Sequence, residues 1–148
     1  MRKQLLMSLT ILSLFVTFGV VSTYAQSNMR LTANIPFEFS VGNKVLPAGE
    51  YTVTYIFEDV AQIRSEDCSE SQSFFTIPAQ AGARRNESSL VFHRYGDQYF
   101  LSTIWAAGYD TGRELRKPDA ERELIRARSA VAKGASESQI VSIVARLQ

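Results

Sequence analysis

Between Leu31 and Val41 every odd position is apolar: Leu31, Ala33, Ile35, Phe37, Phe39 and Val41. The even positions Thr32, Asn34, Pro36, Glu38 and Ser40 are polar or proline. A period of two describes a strand with one buried and one wet face. Pro36 has no backbone donor, which makes this strand an edge or puts a bulge there. Gly42-Asn43 suits a two-residue hairpin turn pairing Val41 with Lys44 and Phe39 with Leu46. A three-residue loop setting Val45 opposite Val41 is the alternative. Leu46-Pro47-Ala48-Gly49 turns the chain again, and a second alternating run follows, Tyr51, Val53, Tyr55 and Phe57, in a strand from Glu50 to Phe57.

Further along, Val60 to Arg64 reads as a returning strand, Ser65 to Gln72 as a polar loop, and Ser73 to Pro78 as a short strand stopped by its proline. Ala79 to Ser88 is a loop. Ser89–Tyr95 and Gln98–Trp105 form the clearest hairpin, joined by Gly96-Asp97. Pairing Tyr95 with Gln98 puts Leu90, Phe92, Leu101 and Trp105 on one face, the expected core. Val91, His93, Tyr95, Gln98, Phe100 and Ser102 take the other. Ala106 to Arg116 reads as a loop around Gly108 and Gly112. A helix is expected over about 118–133, opened by Pro118, with Ala120, Leu124, Ala127 and Val131 as a narrow apolar stripe. So thin a stripe places the helix outside the sheet. Gln139 to Ala145, rich in Ile and Val, is a last strand, with a short helix as the alternative. The fold class is mainly β: a single antiparallel β-sandwich or small barrel of about seven or eight short strands with one helix toward the C-terminus.

The N-terminus changes this picture. Arg2 and Lys3 precede an apolar stretch from Leu5 to Val21, and Thr23-Tyr24-Ala25 ends it in a small-x-small pattern. Residues 1–25 therefore read as a secretory signal peptide, and 26–148 as one β-rich domain. Seventeen apolar-stretch residues make about 26 Å of helix, short of a bilayer core of about 30 Å, which argues against an uncleaved anchor and for no stable membrane span. The formal charge of +1 falls to −1 once Arg2 and Lys3 are removed. A nearly neutral domain has no global pull toward nucleic acid. Cys68 is the single cysteine, so an internal disulfide is excluded; in its Ser-Glu-Asp-Cys-Ser-Glu setting it reads as an exposed thiol, free or paired between chains.

Catalytic chemistry finds no complete constellation. His93 is the sole histidine, too few for a zinc site, and reads as a half-exposed strand residue bonded to Gln98 or Ser102. Asp110-Thr111-Gly112 has a superficial likeness to the aspartic-protease signature, without that signature's apolar flanks or a second copy. Glu121 and Glu123 read as solvated positions on a charged helix. No phosphate-cradling loop, metal set or cofactor motif is present. Most of the aromatic residues are needed for the core. Tyr95, Tyr99, Trp105 and Tyr109, with Asp110 and Arg113, are the residues left over for a ligand, and the 79–88 and 106–116 loops are the expected seat of function.

Three motifs carry a resemblance: Ala33-Asn34-Ile35-Pro36-Phe37-Glu38-Phe39, Leu46-Pro47-Ala48-Gly49-Glu50-Tyr51 and Leu90-Val91-Phe92-His93-Arg94-Tyr95-Gly96-Asp97. With Trp105, Asp110–Leu115 and the Ala120–Glu123 helix, they resemble an uncharacterised family of small exported bacterial proteins. The resemblance implies a periplasmic or extracellular location and supports the β reading; it brings no catalytic residues. The expected function is a non-catalytic envelope or secreted module that binds an envelope protein, a glycan or a small ligand. Lipocalin-like carriage of a small apolar ligand is the first alternative and a hydrolase the second.

Overall fold

A computed structural model describes residues 29–131 and 138–148, and these described residues form ten strands and one helix. The targeting segment read over residues 1–25 lies outside the described residues, as does the end of the expected helix beyond Val131. No helix among the described residues is long and apolar enough to cross a membrane. The strands are β1 (Arg30–Ile35), β2 (Phe39–Val41), β3 (Lys44–Leu46), β4 (Gly49–Tyr55), β5 (Val60–Ser65), β6 (Ser71–Gln80), β7 (Ser88–Tyr95), β8 (Gln98–Trp105), β9 (Thr111–Leu115) and β10 (Gln139–Leu147). Helix α1 spans Asp119–Val131.

Eight strands close in the order β8-β7-β10-β1-β4-β5-β6-β9 and back to β8, so the fold is a closed antiparallel barrel, not a sandwich. The opening alternation is divided between two strands. β1 stops at Ile35, Pro36 breaks the ladder, and β2 resumes at Phe39 with the same face buried. The two-residue turn holds, with Val41 opposite Lys44 and Phe39 opposite Leu46. The β2–β3 hairpin leaves the antiparallel barrel and docks parallel to the first half of β8 through Ser40 and Phe100.

Leu31, Ile35, Phe39, Leu46, Tyr51, Val53, Ile63, Leu90, Phe92 and Ile104 fill the interior. Phe37 plugs one end, stacked on Tyr99 with ring centres 3.9 Å apart and edge-on to Phe92 at 5.3 Å. Phe57 is not part of the alternating strand; it sits in the β4–β5 turn, 69% exposed. Pro78 does not stop β6. Thr76 donates its N–H to Asp59 O on the β5 side, so Pro78, of the same parity, turns its donorless nitrogen to the side that β5 has already left.

Two corrections concern closure. The segment expected as loop 106–116 contains β9, which bridges β6 and β8 and shuts the barrel. In β8, Phe92 pairs with Leu101 but Val91 pairs with Thr103, leaving Ser102 as a bulge. The bulge reverses parity beyond it. Ile104, paired with Leu90, enters the core, and Trp105, paired with Ser89, goes to the outer face. There Trp105 is buried over Gly112 with the Arg85 guanidinium 4.4 Å from its ring centre.

Candidate functional site

The outer face of the β7–β8 hairpin is where chemistry-bearing groups converge. β7 presents His93 and Tyr95 outward, the bulge turns Ser102 the same way, and α1 lies across them. The helix docks through Glu121, Leu124, Ile125 and Arg128, at i, i+3, i+4 and i+7, one face of an α-helix. The expected stripe is displaced by a position: Ala120 and Ala127 are exposed, and Glu121, read as solvated, is only 2% exposed. Glu123 is exposed as expected.

Glu121 Oε1 accepts twice, from His93 Nδ1 at 2.9 Å and from the Tyr95 hydroxyl at 3.1 Å. A carboxylate only accepts, so the imidazole carries a proton on Nδ1, and its Nε2 lies 3.2 Å from the Ser102 hydroxyl. Ser102 Oγ also lies 3.3 Å from Thr103 Oγ1. Burial, and then the Glu121 carboxylate beside it, raise the Tyr95 phenol above its ordinary range; Arg128 opposes the rise from 5.8 Å over the ring.

The order carboxylate–imidazole–hydroxyl is that of a nucleophile, its base and the group orienting the base. What it needs for acyl transfer is room at the hydroxyl and donors aimed at a developing oxyanion. Ser102 is 7% exposed, which leaves little room at its hydroxyl. The relay joins the helix to the barrel. The histidine–Ser102 bond was legible in sequence. The Glu121 partner was not, because it arrives from a different element.

The six residues singled out for ligand contact do not form one site. Tyr95 is buried under α1, and Tyr99 is covered by Phe37. Trp105 lies beneath Arg85. Tyr109 is 55% exposed, and Asp110 is exposed beside it. Arg113, paired with Ile104, faces the interior and the Tyr55 phenol instead. The two loops expected to carry function bind each other: Ala81 N–H to Asp110 O at 2.9 Å, Arg85 N–H to Tyr109 O at 3.1 Å, and Gly108 N–H to Arg85 O at 2.8 Å. They form a cap on one end of the barrel.

Open space lies elsewhere. β9 pairs only with the second half of β6, Thr76 to Gln80, before Arg116–Pro118 leads the chain away to α1. Beside the first half of β6 the β9 lane is vacant, and the Gly42–Asn43 turn stands across it. The resulting seam is a cavity of about 520 Å³ lined by Phe74, Phe75, Ile77 and Leu115, with Gln72, Ser73 and Arg116 among its polar groups. Phe75 and Ile77 are 74% and 59% exposed. Sequence reasoning missed these residues; the one signal was the apolar Phe74-Phe75-x-Ile77 run, too dense for a strand with one wet face. Among the described residues no three His, Cys, Asp or Glu side chains gather into a metal set. Compared with known proteins, the chain matches no family model, no curated protein and no solved structure.

Proposed function

We propose that this protein is a non-catalytic exported binding module, of the small bacterial family its motifs resemble, whose ligand occupies the seam between the β2–β3 hairpin and β6. The observation that carries this reading is the pairing of a filled barrel with an apolar, solvent-open cavity of ligand size. Sites of about 300–1,000 Å³ with an apolar lining and few polar groups are those that hold small ligands. An anilinonaphthalene sulfonate probe should brighten on the protein, and Phe75→Asp and Ile77→Asp should each abolish the gain. Both side chains are exposed, so the variants keep the core. Unchanged brightening in both would overturn the reading.

A second reading is favoured by barrel closure itself. Eight-stranded closed barrels are the architecture of lipocalin-like carriers. Here Phe39, Tyr51 and Phe92 occupy the interior, so a carried apolar molecule would sit in the seam and not along the axis. Export is tested separately. The N-terminus of the protein recovered outside the cytoplasm should be Gln26, and a retained Met1 would refute cleavage.

A further inference from the structure

The vacant half-lane beside β6 presents backbone as well as side chains. Since Thr76 turns toward β5, the residues of opposite parity, Ser71 and Ser73, turn their N–H and C=O groups into the seam, and Phe75, where the β9 ladder ends, turns its N–H the same way. Two of those carbonyls are met by side chains in place of a strand. Lys44 Nζ donates to Ser71 O at 3.2 Å, and Gln72 Nε2 donates to Ser73 O at 2.9 Å. An unpaired ladder edge of this kind is a template for an added strand.

Resting on the seam as the binding site, we propose that its ligand is an extended peptide, about five residues long, which adds as a strand to the Ser71–Phe75 edge of β6 in continuation of β9. One alternate set of the peptide's side chains would lie over the buried Phe74 and Leu115 and is therefore apolar, while the other set would lie on the solvent-exposed face beside Phe75 and Ile77. Charge complementarity sets the end nearest β9. Arg116 lines the cavity and is followed by Lys117, both exposed, and neither is in an ion pair among the described residues. The peptide therefore carries an acidic residue at that end. A second copy of this barrel fits poorly, because its edge strand would bring its own sheet against the Gly42–Asn43 wall, whereas a free segment has no such neighbour.

The test is a panel of pentapeptides with apolar residues at alternate positions, half opening with Glu and half with Lys, titrated by fluorescence anisotropy. Glu-led peptides should bind at least fivefold tighter than Lys-led ones, and Arg116→Glu should reverse that preference. N-methylation of alternate backbone amides should cost tenfold or more, and bound peptide should slow amide exchange at Ser73 and Phe75. Equal binding of the methylated peptides would overturn strand addition. Peptides that fail while the naphthalene probe still binds would overturn it too, and leave the seam as a site for small apolar molecules. Failure of both probe and peptides would overturn both readings. A dimer seen by sedimentation without peptide, abolished by Phe75→Asp, would assign the edge to a second copy and refute the peptide.

Discussion

Trp105 is held between two neighbours, the Arg85 guanidinium over its ring and Gly112 packed against the ring edge. A Cβ at Gly112 would collide with the indole and with Ile104 O, and the backbone carbonyl has no way to yield. Gly112→Ala should therefore destabilise the fold by about 1–3 kcal/mol, the usual cost of overpacking. Trp105 is the single tryptophan, so its emission should shift to the red in the folded variant; an unshifted spectrum and unchanged melting temperature would contradict this packing. Glu121 makes the opposite case, a buried charge whose two donors depend on it. Glu121→Ala would strand the His93 Nδ1 proton and the Tyr95 hydroxyl under α1, at a cost of about 1–3 kcal/mol for a buried unpaired polar group. Thermal melts of Glu121→Ala and of His93→Ala beside the double variant give the coupling directly, and simple additivity would mean the pair is not linked.

At the scale of elements, the chain closes by joining unlike parts at β8: β9 holds its second half, and the β2–β3 hairpin its first. The hairpin reaches β6 through Lys44, which bonds Ser71 O and pairs with Glu70 at 2.7 Å. That ion pair is partly exposed and worth at most about 1 kcal/mol. Lys44→Ala should thus barely move the melting temperature while accelerating amide exchange over residues 39–46; equal acceleration in β4 and β7 would show that the hairpin opens only with the whole barrel. Elements built on local alternation were legible in sequence. The Tyr95–Gln98 register follows from turn chemistry and burial, which act within a few residues, whereas at Gly42-Asn43 the turn left Val41–Lys44 and Val41–Val45 both open until the structure showed the first. β9 was not legible, since Thr-Gly-Arg-Glu-Leu has no alternation and its Gly112 is explained only by the indole it meets across the ladder. The bulge left a trace: Leu101 and Ile104 are three apart, and two buried residues at an odd spacing in one strand need an extra residue between them. Glu121 shows the limit from the other side, because a charged residue reads as solvent-facing until its partners from another element are known.

For the molecule as a whole, barrel closure ties pH dependence to tyrosines buried in its walls. Burial pushes the Tyr55 phenol up to about 12, with Arg113 opposing the rise from the facing strand. Tyr51 and Tyr95 are raised as well, each chiefly by burial and then by nearby carboxylates, Glu70 and Asp67 for the first and Glu121 for the second. A phenol released by unfolding ionises near 10, so above that pH the unfolded chain has shed protons that the folded barrel still holds. Stability is then fully present below pH 10 and falls as pH rises through the folded values. For Tyr55 the two-unit gap amounts to roughly 2–3 kcal/mol lost between pH 10 and 12. Tyr55→Phe removes the titrating hydroxyl and keeps the ring, so its denaturant midpoint should decline less steeply over that interval than the parent's. If the two profiles run parallel from pH 9 to 12, Tyr55 is solvated, and the barrel end where Arg113 faces it is open to water.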